Sequence, residues 1–166
     1  MSRPCHDCHA LLVTCMDWRL HPQVEDHFSA MLDGPFDLVA VGGGSKSFAE
    51  HDESGVGAYL LGCVDVSSRL HRITRVLLVN HTDCGAYGGH AAFESLEAEL
   101  ERHRNDLEKA AALIAGRFPD LMIERYLALV LPDGEGWRVE VRPLDPGPGA
   151  SETPSTSDKS RCLRAS

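Results

Sequence analysis

No stretch of this 166-residue chain approaches the ~20 consecutive apolar residues that a membrane span needs. No secretory signal is visible either. The apolar run from Ala10 to Cys15 is short, and Asp17 and Arg19 soon interrupt it. Basic residues are few: 16 Lys+Arg against 25 Asp+Glu gives a formal charge of −9. That balance argues against nucleic acid and against anionic membrane surfaces as partners. Internal repeats are also lacking. What remains is the profile of a cytoplasmic protein, with one domain and a tail, whose 43% hydrophobic content suffices for a core. In a reducing compartment its six cysteines read as thiols or ligands, not disulfides.

Residues 1–9 form a polar arm. Cys5, Cys8 and His9 match the C-x-x-C-H pattern of c-type haem attachment, but that chemistry normally needs export. The plainer reading is an arm whose cysteines and histidines can take up stray metal. A single α/β zinc-binding domain is expected over residues 10–142. Its first strand is Ala10 to Thr14, too short for a helix and apolar on both faces. Pro22 suits the first position of a helix that carries Val24, Phe28, Met31 and Leu32, and Gly34-Pro35 stops it. Phe36 to Val41 is the second strand. Ser54 is the expected N-cap of a packed helix reaching about Leu70, with Cys63 in its core face. Arg75 to Asn80 is the third strand. The longest helix is expected from about His90 to Ala115, with Phe93, Leu96, Leu100, Leu107 and Ile114 buried. Glu97, Glu99, Glu101, Arg102, Glu108 and Lys109 would form its solvated face. Met122 to Leu131 is the fourth strand, and Asp133-Gly134 turns it into a hairpin partner holding Trp137, Val139 and Val141. From residue 143 onward Pro, Gly, Ser and Thr dominate, so 143–166, with Cys162, is expected to be disordered.

The order strand, helix, strand, helix, strand implies a mainly parallel sheet with helices around it. In such sheets the first strand commonly lies between the second and third, and ligands bind beyond the carboxyl ends where the order reverses. Two chemistry-bearing stretches fall at those ends. Cys15-Met16-Asp17-Trp18-Arg19 follows the first strand, and His81-Thr82-Asp83-Cys84-Gly85 follows the third. Cys15, His81 and Cys84 make a zinc set with one position open for water, as in catalytic sites. Cys5 or Cys8 could close that position and leave a non-catalytic zinc protein. Asp17 has three readings: a carboxylate held by Arg19 that orients a zinc-bound hydroxide, a zinc ligand itself, or half of a plain surface ion pair. Gly42-Gly43-Gly44-Ser45 lacks the lysine spacing of a P-loop and the spaced glycines of a dinucleotide site. It reads as a flexible loop that can still form a pocket wall, as can Gly85. Asp83 suits a loop cap or an acceptor behind the ligands. His21, His90 and Tyr87 could relay protons, while His6, His9, His27, His51, His71 and His103 read as surface residues.

Cys15-x-Asp17-x-Arg19 followed by His81-x-x-Cys84-Gly85 resembles the paired signature of the β-class carbonic anhydrases. The resemblance runs from about Leu11 to Gly89. It implies one zinc per chain on Cys15, His81 and Cys84, an Asp17–Arg19 dyad, and reversible hydration of carbon dioxide to bicarbonate by zinc-bound hydroxide. It implies a sheet of order 2-1-3-4 with an antiparallel edge strand 5, and a homodimer or higher homo-oligomer. Where that family commonly has an Arg-Asn-Ala-Gly-like segment, this chain has Val41-Gly42-Gly43-Gly44. Similar folds with the same ligands hydrolyse carbonyl sulfide or carbon disulfide, which is the alternative activity.

Overall fold

The structure, a computed structural model, describes residues 6–32, 34–51 and 55–144. Cys5, Ser54 and Cys162, and the expected tail from residue 145 on, lie outside the described residues. The elements are β1 (Ala10–Cys15), α1 (Gln23–Leu32), β2 (Phe36–Val41), α2 (Lys46–Ala49), α3 (Val56–His71), β3 (Arg75–His81), α4 (Leu96–Arg117), β4 (Met122–Asp133) and β5 (Gly136–Pro143). Two single 3-10 turns, Gly85–Tyr87 and His90–Ala92, separate β3 from α4.

The sheet has the order β2-β1-β3-β4-β5. The first four strands are parallel and β5 runs antiparallel to β4. β1 and β3 are central, so their side chains are buried on both faces, and both sequences are nearly unbroken runs of Leu and Val. Alternate residues feed two cores. Leu12 of β1 and Leu77 and Val79 of β3 pack with Val24 and Phe28 of α1. Leu11 and Val13 pack on the other face with Phe48 of α2, Leu60 and Val64 of α3, and Leu107, Ala110 and Ile114 of α4. From β1 the chain steps outward to β2 and then crosses back to β3. Right-handed crossovers in opposite directions place α1 and α3 on opposite faces. The strand order reverses between β1 and β3, and in such sheets ligands bind beyond the carboxyl ends at that point.

Several expectations shift. α4 starts at Leu96, six residues later than expected, because His90–Ala92 form only a single 3-10 turn and Phe93 then takes extended backbone (φ −118°, ψ +146°), which breaks the helical path. Ser95 then caps the helix, its hydroxyl accepting from Ala98 N–H at 3.2 Å. Leu96, expected in the core, is exposed. Glu99 and His103, expected in solvent, are buried together with Asp106. α3 begins after Gly55, and Cys63 is only half-buried. Tyr59 and Val66 of α3 stand exposed and line one cavity with Leu38 of β2, and Leu70 is exposed too, so among the described residues nothing covers these apolar side chains. β5 continues through Pro143, which pairs with Tyr126, and Leu144 N–H donates to Arg125 O, so regular structure passes residue 142.

Candidate metal centre

The strand ends bring the two motif stretches together. Cys15 is the last residue of β1 and His81 the last of β3. Cys84 follows a turn in which Asp83 adopts left-handed backbone (φ +56°). Cys15, His81 and Cys84 are all buried, with one donor atom of each within 4.8 Å of the others. The two sulfurs lie 3.9 Å apart. Two thiolates on one tetrahedral zinc, at about 2.3 Å each, would be separated by about 3.8 Å. His81 Nδ1 is 2.9 Å from Thr82 O, which leaves Nε2 as the ring's free lone pair. That buried Nε2 has no hydrogen-bond partner. A buried nitrogen without a partner is costly, and a metal ion would satisfy it. The donor set and its spacing therefore fit zinc.

Cys15 and Cys84 share a proton, which draws the Cys15 thiol well below the ordinary thiol range, helped by His81 and by the Gly43 N–H, while the same sharing drives Cys84 upward. The pair is thus disposed to hold one thiolate. Gly43 N–H donates to Cys15 Sγ at 3.4 Å. The glycine loop is held there by Asn80, whose Oδ1 accepts from Ser45 N–H at 3.0 Å and Ser45 Oγ at 2.7 Å. Gly44 has φ +58°, and a Cβ on it would sit 2.6 Å from Val79 O and 3.3 Å from Cys15 N. The loop is therefore fixed against the cysteine, with Gly43 and Gly44 buried. Gly42 and Gly85 are exposed.

Asp17 and Arg19 do pair. Arg19 Nη2 lies 2.7 Å from Asp17 Oδ2, and Nε reaches both carboxylate oxygens at 3.1 and 3.2 Å. The same guanidinium donates to Asp83 Oδ2 at 2.7 Å and to Asp83 O at 2.9 Å. Arg19 is thus a clamp between the two motif stretches. Its hydrogen bonds hold the Asp17 carboxyl below the usual carboxylate range, and they do the same for Asp83. Asp17 carries an Arg19 bond on each oxygen and stands outside the trio of donor atoms.

Glu99 and His103 were not legible as site residues. Glu99 Oε1 accepts from Asp83 N–H at 2.6 Å, and Oε2 lies 2.5 Å from His90 Nδ1. His103 packs edge-on against Tyr87 and burial lowers its pKa to about 4. A usable signal existed: Glu99, His103 and Asp106 fall on the same helical stripe as Ala110 and Ile114. Of the proposed relays, Tyr87 is half-buried under Asn80, while the His21 ring lies 3.3 Å from Cys15 O. Cys8, a candidate to close the site, sits at the other end of the sheet beside Asp37 and His71. It cannot reach, because six residues of extended strand lie between Cys8's end and that of Cys15.

A family model described as "Putative carbonic anhydrase" matches residues 5–130. An uncharacterized protein of Rickettsia bellii is 29% identical over 126 residues, covering 74% of this chain and 77% of the relative. Another of Rickettsia conorii is 26% identical over 126 residues, covering 74% and 68%. Among solved structures, the β-carbonic anhydrase CafA of Aspergillus fumigatus aligns with a TM-score of 0.43 at 18% identity, over 84% of this chain and 76% of that one.

Proposed function

This chain belongs to the family described as "Putative carbonic anhydrase", and from that premise we propose that it is a zinc lyase interconverting carbon dioxide and bicarbonate. One observation carries the reading: a buried Cys15–His81–Cys84 trio with an unpartnered imidazole nitrogen, at the switch point of the sheet. Those three residues would hold one zinc ion per chain. When bound, zinc acidifies a water and so supplies a nucleophile. Two thiolates offset the ion's charge, so activity should rise with pH more than at a three-imidazole site.

The remaining residues set geometry. Asp17 is kept ionised and still by Arg19. Such a carboxylate can accept a hydrogen bond from the attacking group and aim its lone pair at the substrate carbon. Arg19 also grips Asp83, the residue before Cys84, so the clamp ties the carboxylate to the metal-binding turn. Gly43 N–H donates to Cys15 Sγ and so stabilises charge there; Gly42, Gly43, Gly44 and Gly85 are proposed as wall of the substrate pocket.

The chain is further proposed to act as a homodimer or higher homo-oligomer. Its support is the edge of β2, which no strand pairs among the described residues, and the exposed Leu38, Tyr59 and Val66 that line one cavity beside it. Among the described residues no helix is long and apolar enough to cross a membrane. A cytoplasmic location is proposed because the thiol ligands need a reducing compartment.

Asp17→Asn is the test. With zinc retained, the variant should lose carbon dioxide hydration by about 10²-fold or more, since proton and lone-pair positioning are worth that much. Full activity in Asp17→Asn would refute the assigned role. Sulfide release from carbonyl sulfide outpacing carbon dioxide hydration in the wild type would move the substrate to the sulfur analogue.

A further inference from the structure

Cys8, Asp37 and His71 form a second group of metal-ligating side chains, one donor atom of each lying within 4.8 Å of the other two. Cys8 precedes β1, Asp37 is the second residue of β2, and His71 closes α3. Three chain segments therefore meet at the amino-terminal edge of the sheet. The Cys15 site lies at the carboxyl end, about 20 Å away along β1. Neither group can borrow a ligand from the other.

The segment carrying Cys8 is already fixed in place. Asp7 accepts from Arg72 Nε at 2.8 Å, Cys8 N–H donates to His71 O at 2.9 Å, and His9 N–H donates to Pro35 O at 2.8 Å. Asp37 Oδ2 accepts from Ser67 Oγ at 2.5 Å and lies 2.7 Å from His71 Nδ1. A cavity of about 580 Å³ opens beside them, lined by Leu11, Leu38, Val39, Tyr59 and Val66 together with Asp37 and His71.

We propose that Cys8, Asp37 and His71 are a second binding site for a divalent cation of the zinc class, with its remaining position open toward this cavity. Thiolate, imidazole and carboxylate together select a borderline-soft ion; magnesium and calcium would require an all-oxygen shell. Ligand atoms around tetrahedral zinc stand about 3.5 Å apart, so the group needs adjustments of about 1 Å. Burial holds free Cys8 as a thiol, raised to about 11, that donates to Ala10 O at 3.5 Å; binding releases that proton to solvent, and the ion takes the place of the proton between His71 Nδ1 and Asp37, which passes to the other ring nitrogen. The thiolate and carboxylate balance the ion's charge. This assignment also gives a use to Cys8, which the proposed lyase does not employ, and it shares no ligand with the Cys15 site.

The test is zinc content of the full chain after zinc saturation and desalting, read by elemental analysis. Wild type should carry two equivalents, and Cys8→Ala and His71→Ala one each with unchanged hydration rates. Cys84→Ser should retain one, and Cys84→Ser combined with Cys8→Ala none. These counts stand whether or not the protein hydrates carbon dioxide. Equal zinc in wild type, Cys8→Ala and His71→Ala would overturn the proposal. Because a substitution can disturb the arm, a second measurement uses the unaltered chain. Zinc saturation should slow iodoacetamide labelling of Cys8, mapped by mass spectrometry, at least tenfold; labelling at an unchanged rate would overturn the proposal.

Discussion

Glu99→Ala probes how the turn that carries Cys84 is held. Glu99 is buried, and its carboxylate receives the Asp83 N–H at 2.6 Å and contacts His90 Nδ1 at 2.5 Å. Removing it leaves the Asp83 N–H without an acceptor, at roughly 1–3 kcal/mol for a buried donor. The vacated volume, on the order of 50 Å³, adds about 1 kcal/mol. The sum is about 3 kcal/mol, a large part of the ~5–15 kcal/mol that a domain of this size has. With a urea slope of about 2 kcal/mol/M, the unfolding midpoint should fall by more than about 1 M. Asp83 also needs its partners to stay in left-handed backbone, and Cys84 follows it directly. Zinc affinity at the Cys15 site, read by chelator competition, should drop about 10- to 100-fold, as is usual when a ligand loses its support. Glu99→Gln keeps an acceptor for the Asp83 N–H and should cost less than half as much. A Glu99→Ala protein within 0.5 kcal/mol of wild type, with unaltered zinc affinity, would refute the argument.

Two further perturbations concern His103 and the glycine loop. Burial lowers His103 from 6.5 to about 4, so below pH 6.5 the unfolded chain takes up a proton that the folded one refuses. Wild type should therefore lose stability between pH 6.5 and 4, by roughly 2 kcal/mol at pH 5 from this residue at 1.36 kcal/mol per unit; urea titrations at pH 7 and 5 should show His103→Leu free of that loss, and equal losses would contradict it. Gly44→Ala puts a Cβ 2.6 Å from Val79 O at φ +58°, whereas nothing lies within 4 Å of a Cβ on Gly42. The first should cost roughly 2–4 kcal/mol and lower Tm by at least about 5 °C, while Gly42→Ala should stay within about 0.5 kcal/mol, both read by thermal melts.

The parts of the molecule legible in the sequence are those governed by local pattern. Leu11 to Val13 and Val76 to Val79 are apolar on both faces, which only central parallel strands require, so their places in the sheet follow. That Cys15, His81 and Cys84 would meet was legible because each lies at or just past the end of a central strand. What was hidden depends on contacts between distant segments. Glu99 reads as solvated because it is charged, and only the Asp83 N–H, sixteen residues earlier, gives it a buried partner. The late start of α4 comes from extended backbone at Phe93 and Ser95, inside a stretch whose apolar spacing reads as continuous helix. Cys8 belongs to a haem-like local pattern, yet its neighbours are Asp37 and His71, from β2 and the end of α3. Arg19 was expected to hold Asp17; its second hand on Asp83 needed the fold.

The central claim is that one metal on Cys15, His81 and Cys84 supports carbon dioxide hydration. Stopped-flow hydration with parallel zinc analysis, on wild type and Cys84→Ser, tests it most directly. The account predicts that Cys84→Ser carries one zinc equivalent fewer and loses hydration together with it. A zinc-loaded wild type that hydrates no carbon dioxide between about pH 7 and 9, or a Cys84→Ser protein as active as wild type, would contradict it.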